Sequence, residues 1–462
     1  MRIAVVIHTL PPYSLGGSEL CAASLATELS KRHTVTVCAG RPVEMRSLPR
    51  HERASSYTIE WLDADPSRPP TFDAAFENDS IEAQFDEVMS RAEPEIVHFH
   101  ATWELSNNLP MIARRRGASV VFTLHDFWLM CPRGQRLRPS DLTQCHEIDM
   151  ERCCACLEPW IAPRRFPSRQ HVGRLFNARR PPLRTLFSQA RTRLLRPRDV
   201  ESGATHVERY HAKTHELIDN VDLFIAPSRF LAHEFERRYN LPCRRLIYSD
   251  NGIDTALFDG FRYKQAATIV RFGFVGSWMP SKGVHILIEA FSGLTENARL
   301  HVFGGPPSGA PDAYTRNLMS AAAGDRRITF PGRLAAAERA EAFRAIDVLV
   351  VPSLWYENAP LTIREAFASH TPVVASRSGG MAECVRDGID GLLFTTGSVT
   401  ALRAALRRLI HEPDLIPSLS RQTPPVKSIA AHATELDAVF RQLTAPHRSV
   451  AADHHAYSAS RS

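Results

Sequence analysis

Short apolar runs recur along the chain at the spacing of strands separated by helices. The opening reads strand, loop, helix, strand: Ile3 to Ile7, a loop through Pro11-Pro12 and Gly16-Gly17, an amphipathic stretch from Ser18 to Ser30, then Thr34 to Cys38. The rhythm returns with Ile96 to His100, a helical pattern over Ser106 to Arg115, and Ser119 to Leu124. Runs that are short and apolar throughout suit parallel strands covered on both faces, joined by right-handed crossovers. From Arg164 to about Asn220 this rhythm stops, and apolar residues at near-helical spacing, broken by prolines, predict a helical insertion over about 158–220. Strands at Val221 to Ala226 and Leu246-Ile247-Tyr248 follow, then a polar linker, Asp259 to Thr268.

A second series starts at Val270 to Val275 and alternates helix and strand through Lys282 to Phe291, Arg299 to Phe303, Ala313 to Ala323, Ile328-Thr329-Phe330, Ala335 to Arg344 and Val348 to Pro352. It continues with Leu361 to Ser369, Pro372 to Ala375 and Gly391 to Phe394, and one more helix spans Ser428 to Leu443. The pattern predicts an α/β chain of two doubly wound Rossmann-like domains, 1–225 and 226–427, facing across a cleft. The helix at 428–446 and a polar tail at 447–462, expected to be disordered, complete it. Ligands in such sheets bind beyond the carboxyl ends of the strands.

At 462 residues the chain is too long for one small module, and 44% apolar with 23% charged residues is enough to build large cores. The net charge of +6 is local: eleven arginines and no acidic residue lie between Arg164 and Arg198, and without them acidic residues outnumber basic ones. That segment suits either an anionic membrane surface, which its leucines and phenylalanines would enter, or a solvated insertion packed on its own domain. It shows no nucleic-acid module, so no nucleic-acid partner is expected. No apolar run approaches the length of a membrane span and no signal peptide is visible, which places the expected protein in the cytoplasm, with peripheral attachment to the inner face of the membrane through the basic segment.

The strongest chemical constellation runs from Val350 to Ala366. A buried strand ends at Pro352, the loop holds Glu357, and Pro360 precedes a helix that carries Glu365. The helix start at Ala359, Pro360 and Leu361, where residues other than the proline offer unpaired N–H groups, would receive a phosphate, with a carboxylate on either side for sugar hydroxyls. The same spacing also fits Glu365 complementing the helix dipole and Glu357 as a solvated loop residue. Lys282, in the turn that begins Gly276-Ser277, would act as a point charge on phosphate, or remain a surface lysine. Gly16 and Gly17 would allow close approach of a ligand, or simply make a turn. His125 would enter the cleft to bond a sugar hydroxyl or move a proton, or sit as a satisfied core or loop histidine, the reading favoured for His98 and His100.

Gly16-Gly17-Ser18-Glu19, the Thr-Leu-His-Asp-Phe-Trp run at 123–128, Asn251-Gly252-Ile253-Asp254, Lys282-Gly283, and glutamates 357 and 365 together make a chain that resembles family 4 of the retaining glycosyltransferases, which have the GT-B fold. The resemblance implies transfer of a sugar, with retention and no metal or other cofactor in catalysis, from a nucleotide diphosphate sugar to a carbohydrate or lipid-linked acceptor, in cell-surface polysaccharide or glycolipid synthesis. The first domain would serve the acceptor and the second the nucleotide sugar. Glu365 would take the ribose diol, Glu357 the donor sugar, Lys282 the diphosphate, and His125 the sugar from the opposite domain, with Arg333 beside the base. Ser277 stands where the family commonly has arginine, and Arg333 or Arg364 would have to compensate. A nucleotide-sugar 2-epimerase and a membrane-associated binding protein without turnover share the same architecture.

Two further signals stand apart. Asp63-Ala64-Asp65 looks like a metal-binding pair but precedes a proline-rich loop, and the resemblance is read as coincidence. Cys131, Cys145, Cys153 and Cys156 make a tetrathiolate set that would hold a structural zinc and pin a loop near His125; reduced thiols or a disulfide are the alternatives.

Overall fold

The computed structural model describes residues 1–161 and 203–445, except positions 43–44, 46–48, 55, 66–70, 308 and 336–337. The basic segment Arg164 to Arg198 and the tail 447–462 lie outside the described residues.

Two sheets form the frame. The first contains β1 (Arg2–Ile7), β2 (Thr34–Gly40), β3 (His51–Arg53), β4 (Thr58–Leu62), β5 (Ile96–Phe99), β6 (Ser119–Thr123), β7 (Leu223–Ala226) and β8 (Leu246–Tyr248), in the order β3-β4-β2-β1-β5-β6-β7-β8. The second contains β9 (Val270–Ser277), β10 (Ala298–Gly305), β11 (Ile328–Gly332), β12 (Val348–Val351), β13 (Val373–Ser376) and β14 (Gly391–Phe394), in the order β11-β10-β9-β12-β13-β14. All neighbours are parallel except β3 against β4. Helices cover both faces, so strands such as β5 and β12 are buried along their whole length.

Strand order reverses between β1 and β5 in one sheet and between β9 and β12 in the other. The crevice for a ligand lies beyond the carboxyl ends at such a reversal. The segments leaving these four strands are those that begin at His8, His100, Trp278 and Pro352.

Three details depart from the sequence pattern. The domain boundary expected after residue 225 falls later, because β7, the helix Arg229–Tyr239 and β8 complete the first sheet. The region after residue 40 carries an edge pair, β3 and β4, which the irregular hydrophobicity there does not announce. The helix Gly203–Asp219, expected as part of an insertion, buries Val207, Tyr210 and Leu217 in the first domain's core and packs on the helix Met150–Ile161.

The last helix, Ile429–Thr444, returns to the first domain, where it buries Leu436 and Phe440 beside the helix Gly17–Ser30. Asp437 meets His33 at 2.9 Å there. The two passages between domains are laced together: Ile253 N–H donates to Lys427 O, and Ile429 N–H donates to Ile253 O at 2.7 Å. Among the described residues no helix is long and apolar enough to cross a membrane.

Candidate functional site

The cleft between the sheets has a volume of about 390 Å³ and is lined from both sides. The first domain contributes Gly16, Gly17, Glu19, His125 and Asp126; the second contributes Ser277, Lys282, Arg339, Glu357 and the turn Asn358 to Thr362. A space of this size falls within the roughly 300–1,000 Å³ of pockets that hold a small molecule or cofactor.

Two helix N-termini meet in it. The helix Gly17–Ser30 starts at the end of the loop after β1, and Leu361–Ala368 starts after Pro360, whose extended backbone closes the loop after β12. A methyl group on Gly17 would lie 3.8 Å from the Leu361 side chain, so both sets of unpaired N–H groups address one space. Gly16 and Gly17 do not adopt positive φ; the need for glycine at 16 is steric, because a Cβ there would come within 2.5 Å of the Glu19 carboxylate.

On the second domain, Lys282 Nζ donates to Glu357 Oε1 at 2.7 Å and lies 5.2 Å from the centre of the Trp355 ring. Ser353 Oγ donates to the same carboxylate oxygen at 2.6 Å. Among the described residues, the buried Trp355 Nε1 and Asn358 Oδ1 have no protein partner, which leaves one donor and one acceptor for a ligand. Ser277 ends β9 on the cleft wall.

Glu365 is buried and its carboxylate is held in bidentate fashion by Arg339, at 2.7 and 2.6 Å. Arg339, not Glu365, is the member of this pair that lines the cleft. Arg333 is turned away and bonds the carbonyls of Pro306 and Pro307, and Arg364 pairs with Asp250. Neither compensates for Ser277; the second cation of the cleft is Arg339, contributed by the helix Arg339–Ala345, which no motif marks.

On the first domain, His125 is hydrogen-bonded through Nε2 to His100 Nδ1 at 2.8 Å. Burial pulls its pKa down to about 4, partly opposed by Glu19, so the ring is neutral near pH 7. His98 and His100 are fully buried and lowered likewise, which fits their reading as core residues. Burial pushes Asp126 up to about 6. Glu19 behaves oppositely: burial disfavours its charge, but His8 at 3.2 Å and the hydroxyls of Ser14 and Ser18 outweigh it and bring the carboxyl down to about 2. His8 and Asp126 carry no separate motif signal; Glu19 follows the glycine pair and Asp126 follows His125.

Asp63 ion-pairs with Arg41 at 2.7 Å and Arg50 at 2.8 Å, a structural role that fits its sequence context. Cys131, Cys145, Cys153 and Cys156 are free thiols on the first domain.

Residues 15–152 match the family model for Glycosyltransferase Family 4, and residues 270–412 match that for Glycosyl transferases group 1. The chain belongs to the family 4 glycosyltransferases. Curated relatives of this family 4 member include the D-inositol 3-phosphate glycosyltransferases of Corynebacterium efficiens, 29% identical over 50% of this chain and 58% of that protein, and of Corynebacterium glutamicum, 29% identical over 43% and 51%. The chain thus spans a little over half the length of the curated relatives it matches. Solved structures confirm the GT-B fold. Sucrose-phosphate synthase from Thermosynechococcus elongatus superposes with a TM-score of 0.67 at 18% identity, covering 96% of this chain and 99% of that one. Anabaena HepE, in complex with UDP and glucose, gives 0.62 at 16% identity, covering 96% and 100%.

Proposed function

We propose that this family 4 protein transfers a sugar, with retention of anomeric configuration, from a nucleotide diphosphate sugar to a carbohydrate or lipid-linked acceptor, in cell-surface polysaccharide or glycolipid synthesis. The observation that carries the reading is the meeting of two helix N-termini beside Lys282, a concentration of positive potential suited to a diphosphate. Lys282 and the backbone N–H groups of Ala359 and Leu361 hold the diphosphate and stabilise the charge that develops as the sugar departs, so that no divalent metal is needed. Glu357, already anchored by Ser353, orients the donor sugar hydroxyls. Glu365 holds Arg339 at the cleft wall, and Arg339 adds the cation that Ser277 lacks. His125, neutral at working pH, offers the donor sugar its Nδ1 side, while His100 fixes the ring through Nε2. Closure of the cleft limits hydrolysis. The protein acts in the cytoplasm at the inner membrane face, where Arg164 to Arg198 meets anionic lipid.

The test is turnover of UDP-, GDP- and ADP-sugars with a panel of carbohydrate and lipid-linked acceptors in the presence of EDTA. The expected result is a product with the donor's anomeric configuration and a rate about 100-fold lower for Glu357→Gln. An inverted product, a strict metal requirement, or epimerised donor without acceptor would overturn the proposal.

A further inference from the structure

The segment from Cys131 to Cys156 leaves the first domain's core and reaches the second domain. Its hairpin, closed by the Leu137 and Gln144 pair, projects Gln144 so that Nε2 donates to Leu354 O at 2.9 Å and to Ser378 Oγ at 2.7 Å. Two residues on, His146 Nδ1 bonds the hydroxyl of Tyr356 at 2.8 Å. Leu354 and Tyr356 belong to the loop that carries Glu357. The hairpin therefore grips the donor loop, and what fixes its base matters for the site.

Four of the cysteines gather at this base. Cys131 follows the turn from Phe127, and its N–H donates to Phe127 O at 2.7 Å. Cys145 ends the hairpin, its N–H bonded to Arg136 O at 2.7 Å. Cys153 and Cys156 lie three residues apart on the helix Met150–Ile161, hence on one face. Cys131 and Cys153 pack against the same hydrophobic core, and every pair among the four is close enough to interact electrostatically. Around them stand Arg133, Arg136, Arg138 and Arg152, whose charges favour ionisation of Cys145 or Cys156. Four thiolates around a dication carry a net double negative charge, which this arginine collar balances.

Among the described residues the ligand atoms that lie within 4.8 Å of one another are those of Cys21, His100 and His125, but the two rings there are hydrogen-bonded to each other and burial holds the Cys21 thiol at about 12. The four-cysteine set is wider than this, so a metal bound there requires its side chains to turn to other staggered rotamers. All four ligands are soft thiolates, the set that selects zinc in a tetrahedral site.

We propose that Cys131, Cys145, Cys153 and Cys156 bind one zinc ion, and that the ion fixes the base of the hairpin from which Gln144 and His146 hold the donor loop. Binding releases four thiol protons to solvent and involves no redox change. The effect on donor affinity rests on the function proposed above; the metal site itself does not.

The experiment is elemental analysis of the full chain purified under reducing conditions and dialysed against zinc, together with cobalt(II) exchange of the wild type. The expected result is one zinc per chain, a cobalt spectrum with thiolate charge-transfer bands and tetrahedral d–d bands, and loss of both in the Cys153→Ser, Cys156→Ser double variant. Cys154→Ser, on the same helix but facing the Gly203 side, keeps the zinc. Because the cobalt spectrum is read on the wild type, misfolding of the double variant does not decide the matter. A metal-free chain whose four thiols all react with a thiol reagent, a disulfide among them, or iron with sulfide in place of zinc would overturn the proposal. If the zinc is present, its removal by chelator lowers affinity for UDP-, GDP- or ADP-sugar about 10-fold. A zinc-loaded protein that binds no sugar nucleotide would leave the metal site standing and contradict the donor reading.

Discussion

Glu19 sits where a helix N-terminus from the first domain meets the cleft, buried against His8, Ser14 and Ser18. Its carboxyl falls from 4.5 to about 2, a shift that corresponds to about 3 kcal/mol. Because the folded pKa is the lower one, this stability is fully present above pH 4.5 and is lost as pH falls towards 2. Glu19→Gln is therefore expected to cost about 3 kcal/mol at pH 7 in urea unfolding and to flatten the dependence of stability on pH between 4.5 and 2. An unchanged slope would mean that another group carries the acid sensitivity. Lys282 and Glu357 are legible in the sequence because strand, loop and helix arrange them locally. Arg339 is not, because it reaches Glu365 from a helix 26 positions earlier in the chain, and only tertiary packing reveals the pair. The same blindness made Arg333 and Arg364 attractive substitutes for the arginine missing at 277, although each is engaged elsewhere.

At the level of elements, the turn from β9 into the helix Val284–Ser292 shows how the two halves of the proposed donor site are registered. Gly283 has φ of 69°, and a Cβ there would lie 2.0 Å from the carbonyl oxygen of Pro352. The Lys282 turn thus rests directly on the end of β12, which is why lysine and Glu357 meet. Gly283→Ala combines left-handed strain, about 1–2 kcal/mol, with a backbone collision. It is expected to destabilise the fold by more than about 2 kcal/mol in urea unfolding and to weaken donor binding, whereas Lys282→Ala weakens binding with little loss of stability. The alternation of strands and helices was readable because buried parallel strands are short and uniformly apolar. The edge pair β3 and β4 and the assignment of β8 to the first sheet were not, since the pairing partner of a short strand is set by packing and not by its own composition.

For the whole molecule, the two domains are joined by contacts that converge on the donor loop. Tyr356 packs between Phe127 and Phe230 of the first domain, Asn358 Nδ2 donates to His125 O at 2.7 Å, and Glu383 caps the helix Arg229–Tyr239 by accepting from the N–H groups of Arg229 and Phe230. His125 and Glu357 are therefore positioned relative to each other through the same loop that would contact the sugar. The return helix Ile429–Thr444 and the Ile253 bonds tie the domains together on the other side. The central claim is that a diphosphate is gripped between the two helix N-termini next to Lys282. Isothermal titration of the wild type and Lys282→Ala with UDP-, GDP- and ADP-sugars tests it most directly. The account predicts saturable binding of at least one donor by the wild type and affinity at least about 10-fold weaker, or about 1.4 kcal/mol, for Lys282→Ala. Equal affinity of the two proteins, or no binding of any nucleotide sugar by the wild type, would contradict it.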